Sequence, residues 1–261
     1  MTQWRMCLIG IAWKVHPKFD LAIAANRDEF HARPSARAEA WKNYPTIFGG
    51  RDLKQNGSWL AVSTSGRLAA VTNVRRMATP EPSSPSRGKL VAEFLQGNAR
   101  AADYAAGLKD EAENYSGFNL LLYDGTELVY VNNHPEFVQS SVTPGIHALS
   151  NAQLDTPWPK SLRLHKALAQ WTADKWESPT PLLKALADRS TAADGELPRT
   201  GATPQMEKML SAPFIVSPHY GTRCSTVVTI SGSTIEFVEK RFDNAGMFAG
   251  DTNQTLPIAP A

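Results

Sequence analysis

Apolar and polar positions alternate in short runs over the first third of the chain, take on helical spacing in the middle, and return to strand-like runs at the end. Residues 6–13 are apolar and β-capable, and His16-Pro17 ends the run. Residues 19–25 read as a second strand that enters four consecutive polar residues, Asn26, Arg27, Asp28 and Glu29. After an Asn56-Gly57 turn, SWLAVS (58–63) predicts a third strand, and a Ser65-Gly66 turn leads to a fourth over 67–74. Four strands joined by short turns predict an antiparallel sheet. The Pro/Ser-rich segment TPEPSSPSRG (79–88) predicts a loop.

Beyond it the period changes. Lys89, Leu90, Val91, Phe94 and Leu95 fit one amphipathic helix, and residues 99–110 fit another. Strands resume at FNLLLYD (118–124) and ELVYVNN (127–133) around an Asp124-Gly125 turn, and 147–150 reads as a short strand closed by SNAQLDTPWPK. Residues 161–171 predict a helix with Leu162, Leu164, His165, Leu168 and Trp171 partly on one face, and 179–188 predict another. The small and polar residues of 191–204 read as a loop. CSTVVTI (224–230), a Ser231-Gly232 turn and TIEFVEKRF (234–242) return to strands. There is no internal repeat and no long linker, so sheet and helix layers within one domain over 1–261 are expected.

The chemistry concentrates near the first two strands. Cys7 follows Met6 directly. One reading makes it a buried small hydrophobe. In the other, translation starts at Met6 and the methionine is removed, residues 1–6 being a removable extension. Cys7 then carries a free α-amino group, with a pKa of about 8, that can serve as base for its own thiol. Arg27 and Asp28, as strand neighbours, point to opposite faces and share a site only if the strand ends or bends there. The strand spacing places Cys7 near a turn at 26–29, where a guanidinium lowers a thiol's pKa and a carboxylate orients an amine. The alternative is an Arg-Asp pair capping a sheet edge.

Asn73 and Asn151 each end a strand, where amide donors suit an oxyanion hole or ordinary turn chemistry. Arg223 offers a second cation, and Cys224 after it faces the other way by alternation and reads as core. Of the six histidines, only His31 and His219 lie near the suspected site. No HxxxH, HExxH or CxxCH spacing occurs, and no metal site is expected.

Composition narrows the classes. At 261 residues, with 42% hydrophobic and 20% charged, this is an ordinary globular chain. A formal charge of +2 gives no reason to expect nucleic acid. No apolar run approaches the roughly 18 residues of a membrane helix, and no signal peptide is read at the N-terminus. Cys7 and Cys224 make no disulfide framework, so a reducing, cytoplasmic compartment is the expectation.

The segments AANRDEFHARP, SWLAVSTSGRLAAVTNVR, SGFNLLLYD, ALSNAQLDTPWPK and YGTRCSTVV, in this order, resemble the NRDE family, also called the transport and Golgi organisation 2 family. The resemblance runs from about Met6 to Phe242. It implies an α+β fold, a four-layer αββα sandwich of antiparallel sheets like that of N-terminal-nucleophile hydrolases, especially the bile-salt hydrolase and penicillin V acylase branch. Carried over residue by residue, the catalytic set is Cys7 as nucleophile, Arg27 and Asp28 beside it, Asn73 and Asn151 as assisting amides, and Arg223. Six residues precede Cys7, and no α-amino base exists while they remain attached.

The resemblance also implies cytosolic haem binding and trafficking. Haem would be ligand or cargo, haem-accepting proteins the partners, and Asn26, Arg27, Glu29, His31 and Arg223 the ligand-binding rim. The alternatives are a cysteine hydrolase cleaving a small acyl amide or thioester, and acyl-CoA or lipid binding. No metal ion or nucleotide cofactor is implied.

Overall fold

In a computed structural model describing residues 6–75 and 85–259, strand β1 (Cys7–Trp13) turns Ile9, Ile11 and Trp13 to one face and Leu8 and Ala12 to the other. All are buried, and a strand apolar on both faces must be covered on both. The chain continues through β2 (Leu21–Phe30), β3 (Ser35–Trp41), β4 (Tyr44–Asp52), β5 (Leu60–Ser63) and β6 (Leu68–Asn73). Helices α1 (Arg87–Gln96) and α2 (Ala101–Gly107) come next, then β7 (Phe118–Tyr123), β8 (Leu128–Asn132), β9 (Val138–Ser141) and β10 (Gly145–Leu149). Helices α3 (Pro159–Ala173), α4 (Thr180–Leu186) and α5 (Pro204–Leu210) precede β11 (Tyr220–Ser231), β12 (Thr234–Phe242) and β13 (Phe248–Pro257).

The strands form two antiparallel sheets, ordered β10-β1-β2-β11-β12-β13 and β3-β4-β5-β6-β7-β8-β9. Ile9, Ile23, Val228 and Phe237 of the first meet Phe48, Val62, Leu121 and Tyr130 of the second in the central core. Leu164, Leu168 and Trp171 of α3, with Leu182 and Leu186 of α4, cover Leu8, Ala22 and Ala24 on the outside of the first sheet. Leu90 and Phe94 of α1, with Ala101 and Ala105 of α2, cover Ala69, Leu120 and Val131 on the outside of the second. The result is four layers in the order αββα. Helix α3 lies so close to β1 that a methyl group at Gly10 would fall 2.3 Å from Leu168 Cδ1. Among the described residues, no helix is long and apolar enough to cross a membrane.

Several expectations change. The four early strands do not share one sheet: β1 and β2 belong to the first, β5 and β6 to the second. Strand β2 does not stop at Ala25 but runs to Phe30, so 26–29 is strand and not a turn. Strands β3, β4, β9 and β13 and helix α5 were not expected. Most of β9 and β13 is exposed, and an edge strand that buries little leaves little apolar pattern. The predicted 191–204 loop is irregular up to 203 apart from a short 3-10 turn at Asp194–Glu196, and Pro204 already opens α5. Of the 79–88 loop, residues 79–84 lie outside the described residues and Arg87 already belongs to α1. Of the removable extension 1–6, only Met6 is described.

Candidate active site

Because β2 stays extended, its polar run divides between the faces of the sheet. Arg27 and Glu29 continue the inner face of Ile23 and Ala25, whereas Asn26 and Asp28 continue the outer face of Ala22 and Ala24. Cys7 pairs directly with Arg27 and shares the inner face with Ile9 and Ile11. On the other side of Arg27 the register with β11 shifts between Thr222 and Cys224. That bulge makes Arg223 the extra residue and sets Cys224 opposite Arg27, in one row with Cys7. Regular alternation would turn Cys224 away from this row; the bulge brings it back, and it is buried as expected of a core residue.

Around this row the inner face is charged. Arg27 Nη2 lies 3.5 Å from Glu29 Oε2, and Arg33 Nε lies 3.7 Å from the same oxygen. Arg223 Nη1 donates to the Phe30 and His31 carbonyls, each at 3.2 Å. Burial, then the Arg27 charge, pushes the Arg223 pKa down, so the two guanidiniums feel one another.

The outer face carries a second group that closes on Met6. Asp28 N donates to Met6 O at 3.1 Å, and Met6 N donates to the Tyr220 hydroxyl at 2.6 Å. The Met6 side chain is buried with Leu210, Ile215 and Tyr220. Thr222 Oγ1 donates to Asp28 Oδ1 at 2.6 Å. Lys160, in the first turn of α3, is 1% exposed. Arg75 Nη1 pairs with Glu207 Oε2 at 2.5 Å. Burial, with Lys160 opposing it less strongly, raises the Asp28 carboxyl to about 6. Burial lowers the Lys160 ammonium to about 8, with Asp28 opposing.

Asn151 links the sheets beside Cys7. Its Oδ1 accepts from Cys7 N at 3.2 Å, and its Nδ2 donates to the Asn73 main-chain carbonyl at 2.8 Å. Ser150 Oγ donates to Cys7 O at 2.8 Å. In this arrangement Asn151 acts on Cys7 as an acceptor, and Asn73 meets it through the backbone. The Cys7 thiol is pushed up to about 12 by burial first and Asp28 second. Arg27 lowers it less, so the expected thiolate does not form while Met6 is attached.

Asn26 is not delivered to this site. Its Nδ2 donates to the Leu186 and Pro213 carbonyls at 2.8 Å each, and its Oδ1 accepts from Ser225 Oγ at 2.6 Å, so it pins β2 to the end of α4 and to the segment after α5. His31 lies past the strand end, its Nε2 3.0 Å from Ser217 O. With Phe30, Ala32, Pro218, His219 and Asn244 it lines an open hollow of about 370 Å³. Among the described residues, no three His, Cys, Asp or Glu side chains are grouped to hold a metal ion.

Lys160, Tyr220, Thr222, Arg75 and Glu207 were missed by sequence reasoning. All but Glu207 stand inside quoted motifs (Arg75 ending SWLAVSTSGRLAAVTNVR, Lys160 in TPWPK, Tyr220 and Thr222 in YGTRC), but none carries a spacing that marks it.

The sequence profile described as Transport and Golgi organisation 2 matches residues 6–244. A Transport and Golgi organization protein 2 homolog of Homo sapiens is 33% identical over 257 residues, covering 90% of this chain and 92% of that one. A Transport and Golgi organization 2 homolog of Mus musculus is 31% identical over 270 residues, covering 95% and 97%. In fold, the chain is similar to penicillin V acylase from Agrobacterium tumefaciens, with a TM-score of 0.50, 12% identity, and 89% and 82% of the two chains covered.

Proposed function

The chain belongs to the Transport and Golgi organisation 2 family, and from that premise we propose that it is a cysteine hydrolase of small acyl amides or thioesters, competent once Cys7 is the first residue. The observation that carries this reading is the setting of Cys7. Its backbone nitrogen already donates to Asn151 Oδ1, and the residue pairs directly with Arg27. When Cys7 N is an amine, it takes the thiol proton as Sγ attacks the acyl carbonyl. A thioester forms, the C–N or C–S bond breaks, and the leaving group takes that proton. Water then hydrolyses the thioester to the free acid and restores the thiol. Arg27 and Arg223 suit an anionic group on the substrate. In a chain beginning at Cys7, Cys7→Ala lowers turnover of an N-acyl amide and acyl thioester panel by at least about 10³-fold and removes the acyl adduct from the intact mass. Unchanged turnover in Cys7→Ala ends the proposal.

A carrier role toward haem draws on a different observation, the hollow beside His31 and His219. His31 and His219 both line it, and an imidazole is a common axial ligand of haem iron. Titration of haem into the protein then gives a saturable Soret shift that His31→Ala weakens by about tenfold, equivalent to about 1.4 kcal/mol. An identical titration curve for His31→Ala excludes this site.

A further inference from the structure

Two oppositely charged side chains are buried beside the Met6–Cys7 peptide without completing their hydrogen bonds. Lys160 Nζ has no partner, and Asp28 Oδ2 has none although Oδ1 accepts from Thr222. Both belong to the outer face, where Asp28 stands across from Met6 and α3 covers the sheet. We infer that Lys160 is a positioning residue of the Cys7 site: with Asp28 it sets the protonation state of the α-amino group that appears when Cys7 is the first residue. This inference rests on the hydrolase reading above.

Met6 is held on every side by the outer-face group. Its carbonyl holds Asp28 N, its amide holds the Tyr220 hydroxyl, and its side chain meets Arg75 Nη2 at 3.3 Å from Sδ. An amine ending at Cys7 N replaces that peptide unit with a group able to carry charge. It faces Asp28 from β2, which favours the ammonium. Lys160 of α3, buried and in electrostatic contact with both Cys7 and Asp28, disfavours it, as do Arg75, whose Nη2 reaches the Met6 side chain, and Arg27, paired with Cys7; Glu29 of β2 acts with Asp28. Glu207 of α5 is engaged with Arg75, and Tyr220 of β11 stays neutral because burial raises its pKa well above 10.0. An α-amine can accept the thiol proton only when it is itself unprotonated. Asp28 alone would favour the protonated amine. Lys160 supplies the opposing charge, through the same like-charge effect that activates paired cationic amines.

Among the described residues every strand and helix begins at or after Cys7, so a chain starting there keeps all of them. The test labels both cysteines with ¹³C at Cβ and follows the Cys7 resonance against pH by NMR, with Cys224→Ala assigning it. The same titration is run on the full chain, on the chain starting at Cys7, and on the latter carrying Lys160→Met, Lys160→Gln or Lys160→Arg. Thermal unfolding of each variant reports folding, and the Gln variant serves if the Met variant does not fold. The expected result is an amine titration absent from the full chain and present in the shortened one. Its midpoint rises by about one pH unit or more in the Met or Gln variant and returns in the Arg variant, one unit being tenfold in proton affinity. An unchanged midpoint in the Met or Gln variant overturns the inference. Amide and thioester turnover is assayed separately. A shifted midpoint with no turnover defeats the hydrolase reading and leaves the role of Lys160 standing.

Discussion

Asp28 shows how far burial alters one side chain. Its carboxyl is raised from 3.8 to about 6, so the folded chain binds that proton more tightly than the unfolded chain does. The resulting stabilisation is complete below 3.8 and is lost as the pH rises through about 6. Lys160 is the mirror case, lowered from 10.5 to about 8. Its stabilisation is complete above 10.5 and is lost as the pH falls through about 8. Between about 6 and about 8 both charges are carried in the interior, and this pair contributes least. Asp28→Asn removes the acid-side contribution. The wild-type Tm therefore gains on that of Asp28→Asn as the pH is lowered from about 7 to about 4.5. A Tm difference that stays flat over that range shows that Asp28 is not held as a buried carboxylate. None of this was readable from the run Asn26-Arg27-Asp28-Glu29, because a residue's desolvation depends on what packs against it.

At the scale of elements, β2 and α3 decide the site. Strand β2 remains extended through Glu29 because β1 pairs with residues 21–27 on one side and β11 with residues 21–30 on the other. Both neighbours satisfy its backbone groups, so nothing forces the turn that its polar composition suggests. Helix α3 brings Lys160 to the outer face because Leu164 and Leu168 close on β1 at Gly10, where there is no Cβ to hold them off. Gly10→Val fills that contact and costs about 1–3 kcal/mol by overpacking, or displaces α3. Urea unfolding of this variant measures the loss, and wild-type stability in it means that α3 does not press on β1 here. The helical period of α3 was plain in the sequence. Its register against β1 was not, since an apolar stripe does not name the strand it covers.

At the scale of the molecule, the first sheet joins the two ends of the described chain, with β1 and β2 beside β11, β12 and β13. Residues at positions 7, 27, 151 and 223 meet at one end of the sandwich, and those at 6, 28, 75, 160, 207 and 220 meet beside them. The sequence alone determined the periods of most strands and helices and the pairing of Cys7's strand with Arg27's, and the αββα class followed from the resemblance its five ordered motifs carry. The periods and the pairing are local signals or short-range spacings, and a period of two or of 3.6 survives without knowledge of distant partners. Tertiary structure decided that Arg27 and Asp28 serve opposite faces and that a bulge turns Cys224 back into the row of Cys7. It also decided that Asn26 is a structural pin and that Lys160 belongs beside the nucleophile. Each of these outcomes depends on strands or helices remote in the chain, whose pairing and packing set bulge, face and burial together.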